Sequence, residues 1–444
     1  MSHAIHRRQF LTRSAGLAAL AAGVHTQTAP FATADSPQEK LNLAIVGCGG
    51  KGWHNVQQLT SQNIVALCDV DTNFLDKAAA SFPQAKQFRD YRRLFDDAKQ
   101  RIDAVVVSTA DHTHAPATSL SISLGKHVYC EKPLTHSVEE ARLIAGLAAK
   151  HKVATQMGTQ VHAGENYRRV VEIIRSGAIG SVSEVYNWCN KGWSDGRFTT
   201  SDKPAPTNLD WDLWLGPALK RPYSPGVHPA NWRRFWEYGS GTFGDMACHV
   251  MDLPFWALDL RYPTAVSAEG PPVHPDGTPA WVKAHYQFPA RGQHPAVKFY
   301  WSDGGAHEDL VKQTMDPSGK PLSSWGLGVL FVGSQGMLAA DYGKYVLFPQ
   351  DKFTDFKPPE PTIARSIGHW NEWVEACKHG TPTTCNFDYS GALTETVLLG
   401  VVAFRTGQPL EWDAESLRAT NCSDAQQFVR KAYRTWFEVQ GLKS

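Results

Sequence analysis

The stretch that most limits what this chain can become is Gly47-Cys48-Gly49-Gly50-Lys51-Gly52. It follows a short apolar run, LNLAIVG at residues 41–47, and precedes a stretch of helical character through residue 62. An unbroken apolar run of that length reads as a strand buried on both faces, as in parallel sheets. Glycines spaced G-x-G-x-x-G at a strand-to-helix junction give a tight turn, a bare backbone and a close helix–strand approach. The alternation then repeats. IVALCDVD (64–71), DAVVVSTA (103–110), KHVYCEKP (126–133) and VATQMG (153–158) read as strands, with helices expected at 73–81, 117–125 and 137–151. Ser137 is placed to cap the last helix, and Glu140 to close a capping box. Repeated βα units predict an α/β domain with a doubly wound parallel sheet.

In that context the glycines have separate tasks. Gly47 permits the turn, Gly49 lets backbone approach a pyrophosphate, and Gly52 lets helix pack on strand, with Gly50 between them. The helix N-terminus then presents free N–H groups to the phosphates. Asp69 ends the second strand, placed to accept from an adenosine ribose and to repel a 2′-phosphate. No Arg follows it directly, so NAD is favoured over NADP; Asp71 is a neighbour able to share the role.

Composition excludes some alternatives. A net charge of +1 gives no electrostatic case for a nucleic-acid or acidic-membrane partner. No segment beyond the N-terminal leader reads as long and apolar enough to span a bilayer. The eight cysteines (48, 68, 130, 189, 248, 377, 385, 422) lack CxxC or zinc-ligand spacing. Cys48, Cys68 and Cys130 are expected as packed free thiols, and no metal site is expected. Tryptophan is abundant, at 15, and crowded between 188 and 256; on count alone it reads as core filler.

Glu131-Lys132-Pro133 falls at the C-terminal end of an expected strand, where ligands bind in open α/β sheets. Farther on, GDMACHVMD (244–252) spaces Asp245 and His249 at i, i+4, on one face of a helix. The order G-x-G-x-x-G, acid after the second strand, HVYCEKP and GDMACHVMD resembles the Gfo/Idh/MocA oxidoreductases, a family of sugar and polyol dehydrogenases. The resemblance covers nearly the whole mature chain. It implies a Rossmann domain at 35–158 and an α/β domain with a large, mainly antiparallel sheet at 159–444. It implies a nicotinamide cofactor between them, a sugar or cyclic-polyol substrate and a homo-oligomer. It places Lys132, Asp245 and His249 in catalysis. Around the cofactor it places Thr109, His114, Glu131 and Lys132 beside the glycines and Asp69. STADHTHA departs from the family text TPNxxH, with Asp111 where Asn is usual.

The residues read alone agree on roles. Oxidising a carbinol needs a base for the O–H proton, and histidine titrates near neutrality. Lys132 can hydrogen-bond the same oxygen, and Asp245 can orient the histidine or hold a neighbouring hydroxyl. His249 with one or two acids is too few ligands for a metal. Trp232, Arg233 and Lys191, with Asn190 beside it, are candidates for the substrate wall. Residues 282–289, 296–305 and 328–343 read as strands with tight turns, and 366–380 and 388–407 as amphipathic helices ending in Gly. Two activities follow as expectations: NAD(P)-dependent oxidation of a sugar or polyol, or a redox-neutral glycoside hydrolase or lyase working by transient oxidation. A sugar-binding scaffold that kept the fold is the third reading, against which the Lys132–Asp245–His249 set argues.

The N-terminus adds an address. Arg7-Arg8-Gln9-Phe10-Leu11 precedes a ten-residue apolar run at 15–24, too short to span a bilayer. A small-x-small site follows at Ala32-Thr33-Ala34. The pattern resembles a twin-arginine signal at 1–34, read by the twin-arginine export machinery. It implies a folded, periplasmic protein carrying a tightly held cofactor.

Overall fold

The computed structural model describes residues 40–442, so the leader lies outside the described residues. Strand β1 (Asn42–Val46) runs into the glycine turn and helix α1 (Lys51–Gln58), which stops short of the expected residue 62. Then come β2 (Asn63–Cys68), α2 (Thr72–Ser81), β3 (Lys86–Phe88), α3 (Tyr91–Ala98) and β4 (Ala104–Val107). They are followed by α4 (His114–Ser123), β5 (His127–Cys130), α5 (Val138–His151) and β6 (Thr155–Met157). Strand order is β3-β2-β1-β4-β5-β6, and every pairing is parallel. The alternating helices force this arrangement, since parallel neighbours need crossovers. Ser137 and Glu140 form the full capping box on α5. The pair β3–α3 was missed from sequence because KQF is short and polar.

After α6 (Glu165–Arg175), β7 (Val182–Cys189) opens a second sheet. Its other strands are β8 (Ala265–Glu269), β9 (Lys283–Phe288), β10 (Val297–Asp303), β11 (Leu327–Gly333), β12 (Gly336–Ala340), β13 (Tyr345–Phe348), β14 (Leu410–Asp413) and β15 (Arg418–Ala419). The order is β13-β12-β11-β7-β10-β9-β8-β14-β15. Only β7 and β10 pair in parallel; the sheet is otherwise antiparallel.

Two later helices return to the first half. The helix His369–His379 buries Trp373, Val374 and Cys377 in the apolar layer that holds Leu43, Ile45 and Tyr129. The helix Phe387–Thr406 packs along α5, where Glu395 takes a bidentate ion pair from Arg142. Two expectations fail at this helix. It is buried nearly all round rather than amphipathic, and it is long and apolar enough to cross a membrane. Its burial between the two sheets accounts for that composition. All eight cysteines are buried free thiols.

Candidate active site

The glycine turn is held from both sides. Gly47 has φ 92°, and a Cβ there would lie 2.5 Å from the Ser108 carbonyl oxygen. A Cβ on Gly52 would lie 2.1 Å from the Gly47 oxygen, so α1 presses directly on the strand end. Gly50 is the N-cap of α1, with open space around it. Above Gly49 the neighbour is the Phe74 ring, 2.6 Å from where a Cβ would stand, so this bare position also admits an aromatic side chain. Asp69 braces the turn: Oδ2 accepts from Cys48 N at 2.7 Å and Oδ1 from Asp71 N at 2.9 Å. Burial pushes its carboxyl above the usual range. Asp71 is not free to share Asp69's role. Its oxygens accept from Asn73 N at 2.9 Å, Asn208 Nδ2 at 2.8 Å and His228 Nε2 at 2.9 Å.

At the end of β5 the Lys132–Pro133 peptide is cis. Glu131 is buried, its Oε1 accepting from Asn55 Nδ2 at 2.9 Å and Gln160 Nε2 at 3.1 Å. The close approach of Gly158, where a Cβ would lie 2.6 Å from the carboxyl, leaves room for that acid. Thr109 lies on the cleft wall, but His114 does not. The His114 ring spans the Pro133 and Thr109 carbonyls at 2.8 and 3.1 Å. It therefore ties the turn after β4 to the turn after β5. Asp111, one residue into the same loop, is 1 % exposed with neither carboxylate oxygen hydrogen-bonded to a described group. Burial pushes it up to about 7.

Asp245 sits in a π-helical turn, Phe243–Ala247, and His249 in the α-helical turn after it, Cys248–Val250. A π turn inside a helix commonly marks a functional position. Asp245 does not orient His249, contrary to the reading of the i, i+4 spacing. Its Oδ1 accepts from Lys132 Nζ at 2.5 Å, and Oδ2 accepts from Lys191 Nζ at 2.6 Å and Trp193 Nε1 at 2.7 Å. Arg233 Nε stands 3.1 Å from Oδ1. Burial alone would raise this carboxyl; Lys132, Arg233 and Lys191 outweigh it and hold it well below the carboxylate range. Burial, aided by Lys132, lowers His249 to about 3, so the ring is neutral, and its buried Nδ1 bonds no described group.

These residues share one cleft of about 810 Å³. Gly47, Gly49, Gly50 and Asp69 line one end; Glu131, Lys132, Lys191, Trp232, Arg233, Asp245 and His249 line the other. Gly52 stays behind the wall in its packing role. Asn190 is turned away, donating to the Trp325 carbonyl at 3.3 Å. Trp193, Tyr342, Gln160 and His228 also line the cleft and were not picked from sequence. Trp193 stands two residues past Lys191, so its neighbour carried the available signal. Trp193, Trp214 and Trp232 line the cleft; Trp214 and Trp232 are at the same time buried in a core cluster, as the core reading expects, and Trp188 and Trp301 are fully buried. The glycine end fits a dinucleotide. No described group accepts from the N–H of Gly49 or Gly50, the helix starts there, and close backbone excludes side chains at Gly47 and Gly52.

Two family models match the chain. "Oxidoreductase family, NAD-binding Rossmann fold" covers residues 41–159, and "Oxidoreductase family, C-terminal alpha/beta domain" covers 167–294. A glycosyl hydrolase family 109 protein of Shewanella sp. (strain W3-18-1) is 28 % identical over 40 % of this chain and 45 % of its own length. Inositol 2-dehydrogenase 2 of Saccharopolyspora erythraea is 31 % identical over 32 % of this chain and 42 % of its own length. The chain thus spans under half the length of these curated relatives. The WlbA dehydrogenase of Bordetella pertussis, solved with NADH and UDP-GlcNAcA, shares the fold at TM-score 0.57. It is 14 % identical, over 84 % of this chain and 99 % of its own. The two models together span more than half of the sequence, and the chain belongs to the Gfo/Idh/MocA oxidoreductase family, with an NAD-binding Rossmann domain.

Proposed function

We propose that this protein is an NAD-dependent oxidoreductase acting on a carbinol of a sugar or cyclic polyol, with its cofactor tightly held. One observation carries the reading: a single cleft joins the glycine turn and Asp69 to Lys132 and a neutral His249. The nicotinamide, when bound, supplies the hydride acceptor. Lys132 has three N–H donors; Asp245 takes two, through Oδ1 and its main-chain oxygen at 2.8 Å, leaving one for a carbinol oxygen. That contact stabilises alkoxide character as the O–H proton leaves. His249, uncharged in the same wall, is the group placed to accept that proton, against the fall to about 3 that burial and Lys132 impose on it in the free protein. Asp245 fixes the lysine. Asp69 favours NAD, because a carboxylate repels a 2′-phosphate.

The glycosyl hydrolase relatives support a second reading, in which the sugar is oxidised, cleaved and reduced again with no net redox change. The residues at positions 1–34 support export to the periplasm by the twin-arginine machinery after the cofactor is loaded. The test is to purify the exported protein, identify any co-purifying nucleotide, and supply sugars, polyols and glycosides. Net NADH formation supports the dehydrogenase; aglycone release without NADH supports the redox-neutral enzyme. A protein that purifies empty and needs millimolar NAD refutes tight binding.

A further inference from the structure

The far end of the cleft gathers three cations around one carboxylate. Lys132, Lys191 and Arg233 face one carboxylate, Asp245. Both Asp245 oxygens are occupied, Oδ1 by Lys132 and Arg233, Oδ2 by Lys191 and the Trp193 indole. Its main-chain oxygen is taken by Lys132 as well. Glu131 is turned to Asn55 and Gln160. Asp111 is sealed beneath the wall and does not line the cleft.

A substrate that also carries an anion suits such a wall better than a neutral polyol. Each hydroxyl of a polyol brings a donor that needs an acceptor, and buried donors left unmatched cost free energy. A carboxylate is acceptor-only. Arg233 is preset for one. Its guanidinium lies 4.0 Å over the Trp232 ring, its side chain is 21 % exposed, and its Nε stands 3.1 Å from Asp245 Oδ1, so that edge is already turned to an anion. The planar fork matches a carboxylate in geometry as well as charge. Lys191, the most exposed of the three cations, stands 4.9 Å from the Trp193 ring.

We propose that the substrate is a sugar acid, its carboxylate seated on Arg233 and Lys191 while its carbinol meets Lys132 and His249. This rests on the reading of the cleft as a sugar-oxidising site. Trp193 and Trp232 then supply apolar faces for the ring C–H surface.

The test uses the full chain loaded with NAD. D-gluconate, D-glucuronate and D-galacturonate are compared with D-glucitol, D-glucose and D-galactose, and with glucose 6-phosphate, for binding and for NADH formation. Acids are expected to bind at least about tenfold tighter than their neutral partners, as one charged hydrogen bond implies. Arg233→Gln is expected to erase that preference, read as the ratio of acid to neutral-sugar affinity in the same variant, and Arg233→Lys to restore part of it. Equal or tighter neutral binding, tighter phosphate binding, no acid bound at all, or a preference that survives Arg233→Gln each overturns the proposal. Acids bound but not oxidised refute the hydride-transfer reading and leave this one standing. Neutral sugars oxidised as well as acids do the reverse.

Discussion

Lys132 Nζ reaches two oxygens of one residue, Asp245 Oδ1 at 2.5 Å and the Asp245 carbonyl at 2.8 Å. The two residues are 113 positions apart, so this contact fastens the turn after β5 to the π-helical turn that precedes His249. The position of the amine is therefore set by the second half of the chain, and its strand only brings it within range.

Replacing that amine separates chemistry from binding. Lys132→Met is expected to lower kcat about 10³-fold, in the range for a positioned acid–base or oxyanion group. The glycine turn is untouched, so NADH affinity, read by fluorescence titration, is expected to stay within a few-fold.

Asp245→Asn leaves Lys132, Lys191 and Arg233 facing one another without their shared anion. Breaking a buried ion pair by removing one partner costs about 3–5 kcal/mol. A fall in the urea midpoint is expected, with a fall in kcat. Asp245→Asn and Lys132→Met combined are expected to be less destabilised than the sum of the singles, which a double-mutant cycle measures.

Gly52→Ala places a methyl carbon on the Gly47 oxygen, where 2.1 Å is available. The helix must shift away from the strand end, taking the turn with it. NAD affinity is expected to fall at least about tenfold, roughly what one or two lost backbone contacts imply. Gly50→Ala meets no neighbour but strains a φ of 49°, and is expected to be milder.

Buried histidines set the acid limit. Burial lowers His112, His249 and His369 to about 3 and His114 to about 4. The unfolded chain takes up protons near pH 6.5 that the folded chain refuses, so this stability is present above 6.5 and is lost as pH falls towards 4. Asp111 works oppositely: its carboxyl is raised to about 7, so it favours the fold below its unfolded value near 3.8 and weakens it as pH rises towards 7. The four histidines outnumber it. Urea midpoints are expected to drop from pH 7 to pH 5, and to drop more steeply in Asp111→Asn. A flat profile in both proteins counts against the buried assignments.

The first sheet was readable because its signals are local. Strand, glycine turn, helix and capping box lie within a few residues of one another, and spacing alone carries them. The strand-end position of Lys132 was legible for the same reason. The partners of Asp245 were not. The spacing to His249 suggested one helical face, but the side chain turns to Lys191 and Trp193 in the segment just past β7, which only the second sheet brings near. Asp71 was misread for a similar reason, since its partners Asn208 and His228 lie well over a hundred residues later. The helix Phe387–Thr406 was legible in position, down to its closing Gly407, but not in character, because burial on every side replaces the polar stripe that marks a surface helix.

Trp373, Val374 and Cys377 complete an apolar layer whose other walls come from the first hundred residues after the leader. A nascent chain that has emerged only as far as β6 presents that layer to water. The dinucleotide half therefore cannot reach its final packing early in synthesis, and a fragment ending near residue 158 is expected to aggregate rather than fold. Biosynthesis runs the order in reverse of the sequence: the first half is made first and finished last.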